Sequence, residues 1–199
     1  MIFKNVNIKI EANSNIALMG NSGSGKETIG KLIANYYGVK KGRILVNGIE
    51  IQQYTKESLT NQILYIPQKV ELFSGTILEN ILLGRDIDKE KVFKISRCIG
   101  FDEIVNQFSK GYNTIIGERG IMLSAGQMQM LNIIRATVQN YNIIIFDEVT
   151  NGLDFESKEK VCNYLFEYGN IKLFITHDYE FAKKCDDIYI LKNQTIMHS

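Results

Sequence analysis

Gly20-Asn21-Ser22-Gly23-Ser24-Gly25-Lys26-Glu27-Thr28 is the stretch that decides how this chain is read. It follows a short apolar run, Ile16-Ala17-Leu18-Met19, and precedes a helical pattern from Lys26 to about Tyr37 that Gly38 closes. Three glycines in a strand–loop–helix setting let backbone N–H groups curl around oxyanions, and the helix start adds the positive end of its dipole. Lys26 then serves the outer phosphates of a polyphosphate. The plain alternative, a Gly/Ser-rich connecting turn, is disfavoured by that setting. One residue departs from the GxxxxGK pattern, which continues with Ser or Thr. That hydroxyl ligates Mg2+; Glu27 stands in its place, with Thr28 next. A carboxylate can also ligate Mg2+, or it can swing into solvent and leave the position to water. Both readings stay open.

Outward from the loop, strands and helices alternate at both ends of the chain. Asn5 to Ile10 alternates apolar and polar residues. Arg43 to Ile51 reads as a hairpin turning on Asn47-Gly48, a pair suited to a type I′ turn. Ile63 to Ile66 is a buried strand stopped by Pro67, the only proline. Ile143 to Phe146, Leu173 to Thr176 and Ile188 to Leu191 are further strands, and a helix is expected from Phe155 to Tyr168. Between them the texture is helical. Lys89 to Ile99 and Phe101 to Phe108 are expected helices, and a third opens at Ser124 with Gln127 three residues on, a capping-box pattern. The sum is an α/β fold of the P-loop NTPase type, a mostly parallel sheet flanked by helices. An α-helical sub-domain is inserted into it, and a small antiparallel β part lies near the N-terminus. The expected partition is residues 1–68 and 141–199 as the ATP-binding core and 69–140 as the helical part.

A second motif is Ile143-Ile144-Ile145-Phe146-Asp147-Glu148. Two carboxylates at the C-terminal end of a buried parallel strand fall where open α/β sheets place their sites. Asp147 suits Mg2+, and Glu148 suits a general base that orients or deprotonates water. Alone, such a strand end is more often a pair of solvated acids; beside a phosphate loop it gains weight.

Composition narrows the partners. The chain has 199 residues, is 45% hydrophobic and 23% charged, and carries a formal net charge of +1. This is a globular balance, and no broad nucleic-acid surface is implied. Cys98, Cys162 and Cys185 are scattered, which argues against a zinc site or disulfide framework. No apolar run approaches the roughly 20 residues of a membrane-spanning helix.

Leu123-Ser124-Ala125-Gly126-Gln127 resembles the LSGGQ signature of ATP-binding cassette (ABC) ATPases, with Ala125 at the first glycine. Other elements of that family follow in order. Tyr65-Ile66-Pro67-Gln68 resembles the Q-loop, Asn151-Gly152-Leu153-Asp154 the D-loop, and Phe174-Ile175-Thr176-His177-Asp178 the H-loop. The resemblance runs from Phe3 to Ile196. It implies that Gly20, Asn21, Ser22, Gly23, Ser24, Gly25, Lys26, Glu27 and Thr28 hold ATP. Asp147, Gln68 and Glu27 fall on the Mg2+ side, and Glu148, His177 and Gln68 serve catalysis. Ser124, Gly126, Gln127 and Asp154 would act on ATP held by a second ATPase domain, identical or not, paired head-to-tail. A methyl at Ala125 is tolerable if φ is negative there.

Leu72 to Ile81 and Thr114 to Gly120 resemble stretches found in exporters, with bacterial peptide and bacteriocin exporters as the similar group. The resemblance therefore implies an ATPase energising export. Its partner is the transmembrane domain of an exporter, and its place the cytoplasmic face of the membrane. No nucleic-acid partner is expected. The alternatives are a degenerate ATP-binding module with little turnover in a heterodimer, favoured by Glu27 and Ala125, and a soluble ABC ATPase outside transport. The family also stacks an aromatic on adenine from a strand earlier than Phe3. With Met1 as first residue, the expectation is weak and unselective base binding, with Tyr36 and Tyr37 pointing into the core.

Overall fold

The computed structural model describes residues 3–4, 6–118 and 120–198. Asn5 and Arg119, which belong to the expected first strand and to the exporter-like stretch at 114–120, lie outside the described residues.

The chain forms two compact units. The first comprises Met1–Pro67, Tyr141–Glu148 and Gly169–Ser199; the second comprises Gln68–Asn140 and Val149–Tyr168. The segment 149–168, expected in the core, clusters with the helical unit.

The first unit is built on β1 (Asn15–Gly20), the short β2 (Leu45–Val46) and β3 (Ile49–Glu50), and β4 (Ile63–Ile66). Its helices in this part are α1 (Lys26–Ile33) and α2 (Lys56–Thr60). The second unit contributes β5 (Gly75–Thr76) and β6 (Ile115–Ile116), with α3 (Ile77–Leu82), α4 (Lys89–Ile99), α5 (Phe101–Val105), α6 (Ala125–Thr137) and α7 (Phe155–Glu167). The first unit is completed by β7 (Ile143–Asp147), β8 (Ile171–Ile175), α8 (Tyr179–Ala182), β9 (Asp187–Lys192) and β10 (Thr195–His198).

Six strands of the first unit form one sheet in the order β10-β9-β1-β8-β7-β4. All neighbours run parallel except β10 with β9. Ala17 and Phe146 both pair with Phe174, so the C-terminal ends of β1, β7 and β8 come out side by side. That shared edge positions the site. The apolar runs of these strands explain the arrangement, since parallel strands are covered on both faces. Ile16, Leu18, Ile145, Leu173 and Ile175 pack with Ile29 of α1 and with Ile51 and Leu59, and Phe146 stacks on Phe174 at 5.5 Å. Burying one such side chain contributes about 1.5–3 kcal/mol. At the opposite edge Lys172 is 1% exposed. Its ammonium donates to Asn170 O at 3.0 Å, and burial pushes its pKa down to about 8.

Most expected elements form. The hairpin turns on Asn47 and Gly48 with φ of 51° and 78°, as a type I′ turn requires. Two expectations change. Val6 to Ile10 alternates between half-buried and exposed but joins no ladder; Ile8 and Ile10 pack against the core, and the Tyr189 hydroxyl donates to Lys9 O. The first helix stops at Ile33; Asn35 takes φ 58°, and Tyr36 and Tyr37 are exposed rather than in the core.

In the second unit β5 pairs antiparallel with β6, and the α4, α6 and α7 helices bury Val92, Ile99, Leu131, Ile134, Val161 and Leu165. Asn80 and Arg135 cross-link it: the guanidinium donates to Asn80 O, Asn80 Oδ1 and Glu71 O. Among the described residues no helix is long and apolar enough to cross a membrane.

Candidate nucleotide site

In the first unit the loop from Gly20 to Gly25 joins β1 to α1. Gly25 sits at the helix N-cap in the left-handed region, φ 104°, and no side chain caps the helix. A Cβ there is strained, and the uncapped start leaves backbone N–H groups without intrahelical partners. Ser24 Oγ is buried with no hydrogen-bond partner. The Lys26 ammonium, on a buried side chain, donates to Gly20 O at 2.6 Å and Asn21 O at 3.0 Å. A cation held by loop carbonyls, an orphaned hydroxyl and free N–H groups suit a polyphosphate anion. Asn21 and Ser22 are exposed and Thr28 is half-buried.

Glu27 is exposed and its carboxylate pairs with Lys31 one helical turn on. Asp147, at the end of β7, is buried and accepts a hydrogen bond from the Tyr65 hydroxyl at 2.7 Å. Its pKa is raised, first by burial, with Glu27 and Glu148 adding to the rise while the Tyr65 bond and Lys26 oppose it. A divalent cation supplies the charge that such a buried carboxylate calls for. Glu148 follows with φ 53°, a left-handed conformation that costs a residue with a side chain about 1–2 kcal/mol. Its N–H is fixed by Ile175 O, and its Oε1 lies 2.9 Å from His177 Nδ1. Its Oε2 is buried and has no partner. A strained carboxylate with one oxygen tethered and one free is suited to holding a water.

In the second unit Ser124 and Gln127 form the expected capping box. Ser124 N–H donates to Gln127 Oε1 at 3.0 Å, and Gln127 N–H donates to Ser124 Oγ at 3.2 Å. Ala125 is the first residue of α6 and is absent from the positive-φ residues, so its methyl is accommodated. Gly126 is held by contact instead: a Cβ there would lie 2.5 Å from Gly152 O. Asp154 caps α7, accepting from Ser157 N–H and Oγ at 2.9 Å, and these bonds lower its pKa. Gln68 is exposed, just past Pro67, and belongs to this second unit.

The structure thus gathers Ser24, Lys26, Asp147, Glu148 and His177 at one edge of the sheet. It gathers Ser124, Gly126, Gln127 and Asp154 in the other unit. Residues 3–151 match the family described as ABC transporter. The chain belongs to that family. It is 36% identical over 198 residues to the ATP-dependent lipid A-core flippase of Escherichia coli (strain K12), and equally to that of Shigella flexneri, covering 98% of this chain and 34% of each relative. A solved bacterial Atm1-family ABC exporter with ATP bound superposes with a TM-score of 0.92 at 30% identity, over 98% of this chain and 35% of that one. The chain spans about a third of the length of these relatives.

The sequence reading gives no site role to two participants: Tyr65, a residue of a buried strand and of the Q-loop-like stretch, and Lys31. No local signal marks Tyr65, which meets Asp147 because it pairs with Ile145, a residue sharing a sheet face with Asp147. For Lys31 the signal is its i, i+4 spacing from Glu27.

Proposed function

We propose that this chain is the ATP-hydrolysing part of an ABC exporter. The observation that carries this is the pairing of an uncapped phosphate-loop helix with Glu148 on the neighbouring strand ends, tethered to His177 and with Oε2 free. The loop N–H groups, Ser24 and Lys26 bind the phosphates and offset their charge. Asp147 holds Mg2+, which when bound neutralises charge on the transferred phosphoryl group. Glu148 Oε2 orients the attacking water and takes its proton, while His177 fixes the other oxygen and faces the γ-phosphate. Ser124, Gly126, Gln127 and Asp154 complete the site of a second ATPase domain, head-to-tail, so that ATP closes the pair and hydrolysis opens it.

The transmembrane partner docks on the helical unit, on the cytoplasmic face of the membrane. Exposed Ile115, Ile121 and Met122 support that surface, with Ile121 N–H bonded to Ile115 O. The cargo is left at the level of an exported substrate, since the relatives named are a lipid A-core flippase and an Atm1-family exporter rather than peptide exporters. A second reading, a nucleotide-binding partner with little turnover, is favoured by Glu27 alone, now that Ala125 is accommodated.

Glu148→Gln tests the main reading. It should lower ATP turnover at least 100-fold while keeping ATP bound, and with ATP and Mg2+ it should shift the chain from monomer to dimer in light scattering. Turnover unchanged by the substitution would overturn the assignment of Glu148, and a slow wild type beside a monomeric variant would favour the second reading.

A further inference from the structure

The phosphate-loop pattern provides two protein ligands for its cation, a loop hydroxyl and a strand-end aspartate. Here the hydroxyl is missing. Glu27 occupies its position, and its carboxylate is engaged by Lys31, with the Glu27 side chain 59% exposed. Asp147 does meet a hydroxyl, though, and it comes from a different strand. Tyr65 on β4 pairs with Ile145 of β7, so its side chain lies on the sheet face that also carries Asp147, and its O–H reaches Asp147 Oδ2 at 2.7 Å.

The ring is walled on several sides. Tyr65 is 5% exposed, Tyr36 packs edge-on at 5.8 Å, and a Cβ built on Gly30 of α1 would fall 2.9 Å from its Cε2. Gly30 therefore lets α1 close onto the ring, and a phenol so confined holds one hydroxyl position. A buried hydroxyl bonded to a carboxylate fixes that carboxylate's rotation, and its loss leaves an acceptor unsatisfied.

We propose that Tyr65 is a positioning residue for the cation: it fixes Asp147 through Oδ2 and leaves Oδ1 for Mg2+, supplying from β4 the order that the loop hydroxyl supplies in the common pattern. The inference rests on the reading of this edge as a Mg·ATP site. Glu27 is then a surface residue held by Lys31, and the site keeps its cation despite the altered loop.

The test is ATP titration of the wild type, Tyr65→Phe, Glu27→Ser and the double variant, each with Mg2+ varied and again in EDTA. Tyr65→Phe should raise the Mg2+ midpoint about tenfold and leave the affinity measured in EDTA unchanged, a loss of about 1.4 kcal/mol in the Mg2+-dependent part alone. Glu27→Ser should change little by itself and should restore most of the loss in the Tyr65→Phe background, because a loop hydroxyl then takes over. An unchanged Mg2+ midpoint in Tyr65→Phe overturns the proposal. So does an equal loss with and without Mg2+, which marks Tyr65 as packing only. A wild type whose ATP affinity ignores Mg2+ defeats the site reading itself, whatever Tyr65 does.

Discussion

The helix α1 in the first unit begins at Gly25 with no side-chain cap, whereas α6 and α7 in the second unit begin at Ser124 and Asp154, each bonded to its own residues. The first start keeps an orphaned Ser24 hydroxyl beside it and a lysine parked on loop carbonyls. At each of the other two a side chain answers one leading N–H, Ser124 Oγ that of Gln127 and Asp154 that of Ser157, and Gln127 Oε1 takes the N–H of Ser124 itself. Polar groups left unsatisfied cost stability and are retained where a ligand completes them. Capped starts contribute stability with no ligand present. Under the proposed function, the difference is that between a start that binds nucleotide by itself and a capped one that meets nucleotide only when a second chain brings it.

The contrast breaks most visibly at Lys26. Lys26→Ala should weaken ATP binding on the order of 100-fold, about 2.7 kcal/mol, with the melting temperature almost unmoved. A fall in thermal stability with ATP affinity intact would show that the open start is structural after all.

Lys172 gives a smaller effect, at the other end of the same sheet. Its folded pKa of about 8 lies below the ordinary 10.5. Below pH 8 the folded chain carries the cost of a buried charge. As pH rises from 8 towards 10.5 the folded state loses that proton before the unfolded state does, so stability increases. Lys172→Met should therefore gain roughly 1–3 kcal/mol at pH 7 without affecting nucleotide, and the gap to wild type should close by pH 10. Chemical denaturation at both pH values reads this directly. A gap independent of pH would mean the ammonium is not what burial penalises.

The smallest effect belongs to the capped start. Ser124→Ala should cost about 1 kcal/mol of stability through the lost cap and leave the isolated chain's ATP affinity unchanged. Weaker ATP binding by monomeric Ser124→Ala would erase the distinction.

Much of this was legible from the residues. Glycine spacing and the strand before it located the phosphate loop, Ile143 to Phe146 located the strand delivering Asp147 and Glu148, and Ser124 with Gln127 announced a capping box that forms as read. What stayed hidden depends on through-space partners. Nothing local in Tyr65-Ile66-Pro67-Gln68 says that the tyrosine meets Asp147; that needs β4 to lie beside β7. The early end of α1 is set by a left-handed turn at Asn35, a weak signal against the apolar pattern running to Tyr37. The shift of 149–168 to the helical unit follows from Val161 and Leu165 packing there, which helix periodicity reveals as burial but not as address.

The left-handed backbone at Glu148 has a consequence for how this chain can change over generations. A glycine there relaxes about 1–2 kcal/mol of conformational cost and removes an orphaned buried oxygen, while the carboxylate that the proposed function assigns to the water is lost. Under the proposed function, substitution to glycine at this position trades turnover for a relaxed backbone, offset by the lost His177 contact and by the greater freedom of glycine in the unfolded chain.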